Sequence, residues 1–172
     1  WDGAGIPGEY ALRGFFGVAL SVPALGQIGL ILSQLLNFAE ARRLPHPGNP
    51  GEEVILYEMD GGGPGRVVHV LVQPDAPGAW LGRGGVHHVA FRLRDGEEQR
   101  AWMSHLTRAG LRTSGVVDRF YFQSLYFRIS NGILFELATD GPGFASDEPL
   151  ATLGEALALP PFLEPQRVSI EA

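Results

Sequence analysis

Two stretches of this chain, GFFGVALSV at Gly14–Val22 and GVHHVAFRL at Gly85–Leu93, align without a gap, and similar elements follow each. Internal duplication explains this best, and it restricts the fold to two similar units in tandem. In the first, Gly14–Val22 reads as a strand. Gln27–Leu44 reads as a helix, with apolar residues at Ile28, Leu32, Leu35, Leu36 and Ala39 and with Pro45, Pro47 and Pro50 to end it. Glu53–Met59 and the β-branched run Arg66–Val72 are strand-like, with a turn at Gly61–Gly65 between them. After the break PDAPG at Pro74–Gly78 the order begins again. Val86–Leu93 is a strand, Glu97–Ala109 a helix closed by Gly110, and Arg119–Phe122, Ser124–Ile129 and Ile133–Thr139 are strand candidates. The expected class is α+β, built from paired βαβββ modules. The Pro-rich, acidic tail from Gly141 to Ala172 is expected to wrap the surface without forming a third layer.

Composition limits what such a pair of modules can do. With 172 residues, 45% of them hydrophobic, the chain can bury a core. A net charge of −6 and the lack of any basic run argue against nucleic acid as a partner and in favour of small molecules. There is no cysteine, so a metal site must draw on His, Asp, Glu or water. The longest apolar run, around Ile28–Leu36, is too short to cross a bilayer, so no membrane association is expected and the expected location is cytoplasmic. The chain opens on Trp-Asp-Gly without an initiator Met, from which a fragment of a longer protein is expected.

Strand parity selects the chemistry. Alternate residues share a face, so His88 goes with Ala90 and Arg92, while Val89, Phe91 and Leu93 form a core face. His87 starts on the opposite side. In Ile133–Thr139 the same parity sets Glu136 among apolar groups, where a carboxylate is costly unless something positive meets it. Arg119, Arg128 or a metal ion are the candidates, and a structural salt bridge is the plainer reading of Glu136 alone. An imidazole and a carboxylate on facing strands of one unit would together suit Fe(II), Mn(II) or Zn(II). Ser124, Tyr126 and Arg128 share the face of the strand between them, and Tyr126 and Arg119 could move a proton or hold an oxyanion.

GGVHHVAFRL, DRFYFQSLYFR and GILFELATDGPGFASDEP together resemble the closing half of ring-cleaving dioxygenases of the vicinal-oxygen-chelate superfamily, in the hydroquinone-type branch. HHVAF alone is a superfamily signal shared with glyoxalase I and methylmalonyl-CoA epimerase, whereas DRFYF and LFELATDGPGF are more specific. The resemblance implies curved mixed sheets, with this chain matching the last two of four modules. It implies residues 1–12 as a leader from a missing upstream half, 13–80 as a module lacking the His pair, 81–142 as the module with the metal ligands, and 143–172 as a tail. It implies His88 and Glu136 as two ligands of an Fe(II) site, with His87, Arg119 and Tyr126 around an aromatic substrate that reacts with O2.

The third ligand would be a histidine of the absent first module, so a missing amino-terminal half or a second subunit is an expected partner. Within the chain, Phe16 and Gly17 stand opposite His87 and His88 in the repeat. Aligning GRVVHV at Gly65 with GILFEL at Gly132 places His69 opposite Glu136, which makes His69 the in-chain candidate. Two rival functions remain: a glyoxalase-like isomerase or epimerase on the same scaffold, and a metal-free small-molecule binding module of the bleomycin-resistance type.

Overall fold

A computed structural model describes residues 5–77, 81–129 and 132–172. The first four residues of the expected leader and Gly78 of the Pro74–Gly78 break lie outside these. The chain divides into two units, Trp1–Trp80 and Leu81–Ala172, each with one four-stranded sheet.

In the first unit, β1 (Gly17–Val22) leads into α1 (Gly26–Leu30), which continues as π-helix over Ile31–Leu35. β2 (Ala39–His46), β3 (Asn49–Glu58) and β4 (Val67–Val72) follow. The strand order is β1-β4-β3-β2, with β1 parallel to β4 and the other pairs antiparallel. Leu20, Val22, Ile28, Leu32, Ile55, Val68 and Val70 are buried as its core.

The expected helix Gln27–Leu44 is half helix and half strand. Asn37 adopts a left-handed φ of 59°, and the Leu36 and Phe38 N–H groups close back on the Ile31 and Leu32 carbonyls, which ends the helix. The helix-forming residues Ala39–Leu44 then pair with β3, so tertiary pairing overrides their propensity. Pro45 is tolerated there because β2 is an edge strand.

The second unit repeats the plan with β5 (Val89–Leu93), α2 (Gly96–Arg108), β6 (Thr113–Asp118), β7 (Gln123–Arg128) and β8 (Leu134–Thr139), in the order β5-β8-β7-β6. Asp95 caps α2, its carboxylate accepting from the Glu97 and Glu98 N–H groups at 3.0 and 2.9 Å. Gly110, at φ 82°, lies just past its end. Gln99, fully buried, donates to the Gln123 and Leu137 carbonyls and ties the helix to the sheet. Leu93, Leu106, Leu125, Phe127, Phe135 and Leu137 fill the core between them.

Arg119–Phe122, expected as a strand, is the turn that joins β6 to β7. The Arg119 N–H bonds the Phe122 carbonyl at 2.9 Å, Phe120 takes φ 70°, and Asp118 Oδ1 accepts the Phe120 N–H. The strand lies earlier, at Thr113–Asp118, where Gly115 at φ 71° forms an irregularity that makes TSG read as a turn. Short 3-10 turns and the helix α3 (Arg167–Glu171) make up the tail and bury no side chain. Among the described residues no helix is long and apolar enough to cross a membrane.

On three strands of each sheet the two units match in register. Ala19 on β1 pairs with His69 on β4, and His69 faces Leu56 on β3. In the second unit Ala90 is opposite Glu136, and Glu136 faces Tyr126 on β7. His69 thus holds the topological place of Glu136, Leu56 that of Tyr126, and Val54 that of Ser124.

Candidate functional site

Glu136 sits in the middle of β8 with strands on both sides, and only 2% of it is exposed. The small Ala90 flanks it on β5, so the side chain two residues earlier, His88, can reach over it. His88 Nε2 lies 2.7 Å from Glu136 Oε2. The other carboxylate oxygen, Oε1, accepts a hydrogen bond of 2.5 Å from the buried Ser124 hydroxyl. The costly buried carboxylate is therefore met by an imidazole and a hydroxyl. Neither expected arginine meets it: Arg119 donates to the Tyr126 hydroxyl and Arg128 to the Gly132 carbonyl.

The remaining candidates gather around this pair. His87 Nδ1 lies 2.8 Å from His88 Nδ1, so the two rings are in contact although parity starts them on opposite sides. His88 also meets the Tyr126 ring edge-on, with centroids 5.8 Å apart. Arg119 reaches the Tyr126 hydroxyl at 3.2 Å, with its guanidinium carbon 5.4 Å from the ring centroid. The turn described above is what aims Arg119 back across β7. The strand expected over Val86–Leu93 begins only at Val89, so His87 and His88 lie just before β5. Arg92, on the Ala90 face of β5, is taken up by Asp140 in a two-pronged ion pair at 2.6 and 2.7 Å. Asp140 is held below the usual carboxylate range by that hydrogen bond.

The donor set fits a divalent cation. Two ligands on bonds of roughly 2.0–2.2 Å and near a right angle stand about 3 Å apart, close to the 2.7 Å between Nε2 and Oε2. One nitrogen and one oxygen would suit a borderline cation such as Fe(II), Mn(II) or Zn(II). Among the described residues no group of three or more His, Asp or Glu could hold a metal. His69 lies half-buried on β4 of the first unit.

Ser124 was legible in the sequence only as a hydroxyl on the right face. Its bond to Glu136 depends on the diagonal offset between β7 and β8, which register decides.

No family model matches the chain. It is 48% identical over 169 residues to MhqA of Bacillus subtilis (strain 168), named a ring-cleaving dioxygenase, covering 98% of this chain and 53% of that protein. It is 33% identical over 167 residues to the chlorohydroquinone/hydroquinone 1,2-dioxygenase of Sphingobium indicum, covering 95% and 50%. The chain thus spans about half the length of the curated relatives it matches. Among solved structures, a Bacillus subtilis protein described as a dioxygenase matches with a TM-score of 0.74 and 35% identity, over 89% of this chain and 46% of that one. A glyoxylase/bleomycin resistance protein/dioxygenase domain from Frankia shares the fold at 18% identity, with a TM-score of 0.64 over 78% and 97%.

Proposed function

From its membership of the vicinal-oxygen-chelate superfamily, to which this chain belongs, we propose that it is the metal-holding part of a ring-cleaving dioxygenase acting on a hydroquinone-like aromatic. The observation that carries the reading is the pairing of His88 Nε2 with the buried Glu136 Oε2 under a face that also presents Arg119 and Tyr126. His88 and Glu136 would hold the metal, Fe(II) in the first place and Mn(II) or Zn(II) otherwise. The bound metal would bring substrate and O2 together and pass electron density between them.

This chain's own residues would manage charge and protons. Arg119, with its guanidinium beside the Tyr126 hydroxyl, would stabilise negative charge on the substrate oxygen. Tyr126 and His87 lie against His88 and could take up and return the phenolic proton. A hydroquinone has its hydroxyls para, so one oxygen at a time can be engaged. The ring bond beside that carbon would open as both oxygen atoms of O2 enter the product. Further ligands would come from outside these residues, either an upstream half, in keeping with relatives of twice the length, or a second subunit.

The test is iron content after anaerobic Fe(II) reconstitution, together with oxygen uptake on hydroquinone, for the chain beside His88→Ala and Glu136→Ala. Iron lost in both variants, with uptake only in the parent, supports the dioxygenase. Iron without oxygen uptake, but with turnover of an enediolate-forming substrate, turns the reading to an isomerase. No iron in this chain alone, but iron once an upstream half is supplied, assigns the remaining ligands to that half, and no iron in either form leaves a metal-free binding module.

A further inference from the structure

We infer that Ser124 is a positioning residue that makes Glu136 a one-oxygen metal ligand, an inference that rests on the metal reading above. The Ser124 hydroxyl is fully buried and donates to Glu136 Oε1 at 2.5 Å, so that oxygen is occupied from within the sheet. Oε2 is left as the oxygen beside His88 Nε2, 2.7 Å away. A carboxylate free to rotate could offer both oxygens to a cation in turn. One pinned through Oε1 offers Oε2 in a single orientation, and such outer hydrogen bonds orient a ligand at little entropic cost on binding.

The first unit supplies an internal comparison. At the place of Glu136 it carries His69, and at the place of Ser124 it carries the buried Val54. Where the carboxylate is missing the hydroxyl is missing too, and the same strand position accepts a β-branched apolar residue. The hydroxyl is therefore not a requirement of the βαβββ frame. It accompanies the carboxylate.

Mn(II) binding to the whole chain, followed by the electron-spin-resonance signal of free Mn(II) up to millimolar concentration, separates the possibilities. Ser124→Val and Ser124→Thr share one shape and differ in the hydroxyl, so any packing disturbance is common to both. Ser124→Val is expected to weaken binding by about 10–100-fold, as for other outer-shell partners. Ser124→Thr should stay within a few-fold of the parent. Glu136→Ala should bind no Mn(II). Equal affinity in the Val and Thr variants, with Glu136→Ala still abolishing binding, overturns the positioning role and leaves the metal centre standing. A parent chain that binds no Mn(II), either alone or joined to an upstream half that completes the ligand set, overturns the metal reading itself, and the positioning role with it.

Discussion

At the sheet position where the second unit buries Glu136, the first has His69, and where the second presents His88 the first has Gly17. Both units keep the βαβββ order and the same strand pairing, and an alanine flanks each central residue. The contrast lies on one face. In the second unit that face carries Ser124, Tyr126 and an imidazole around a carboxylate. In the first it carries Val54 and Leu56 around a single imidazole. Gly17 shows that the difference reaches the backbone: a Cβ there would lie 2.6 Å from the Val67 carbonyl oxygen, so the strands have closed over the place a histidine would need. The two helices differ likewise. α2 has an Asp cap, whereas α1 is short, runs into π-helix and has no side-chain cap. A duplicated frame tolerates this drift because the core needs only the apolar parity of its strands, and the other face is free to gain or lose chemistry.

The comparison breaks most visibly through the residues proposed as ligands. Glu136→Ala is expected to lower Mn(II) or Fe(II) affinity beyond about 100-fold, more than an outer-shell change does, and His69→Ala to leave it unchanged. Metal titration of the two variants checks this, and a comparable loss in His69→Ala would show that the first unit also contributes a ligand. Next comes the backbone. Gly17→His should destabilise the chain by about 1–3 kcal/mol through overpacking, and Gly17→Ala by a similar amount, since Cβ is the atom that collides. Urea unfolding measures both, and a harmless Gly17→Ala would show that the strands yield easily.

The smallest effect concerns the helix cap. Asp95→Ala should lower the melting temperature by a few degrees at neutral pH. The Asp95 carboxyl is held below its usual range, chiefly by the Glu98 N–H and also by that of Glu97. Its contribution is therefore complete above the ordinary Asp value of about 3.9 and is lost as pH falls through its own lower value. Parent and variant melting curves should converge in that acid window, and a gap that persists at the acid end would assign the effect to packing.

Much of the frame could be read from local pattern. The strands at Val67–Val72, Gln123–Arg128 and Leu134–Thr139 and the helix at Gly96–Arg108 lie where alternation, β-branching and the Gly110 stop put them. Two elements could not be read this way. Ala39–Leu44 is made of helix formers and becomes a strand through its pairing with β3, and Thr113–Asp118 hides behind the irregularity at Gly115.

The site divides in the same way. Parity along single strands was enough to set His88 beside Ala90 and to show that a lone carboxylate at Glu136 needed a partner, because both follow from two-residue periodicity within one segment. That the partner is His88 and not Arg119 or Arg128, and that Ser124 takes the second oxygen, was decided by the register of β5, β7 and β8. Register joins residues far apart in the chain, and a one-residue slip would turn each of these side chains to the other face. The amino-acid order by itself determined which residue types were on hand and which way each one points along its strand. Only the assembled sheet decided which of them meet, since that depends on hydrogen bonding between strands that the order of residues within any one strand does not encode.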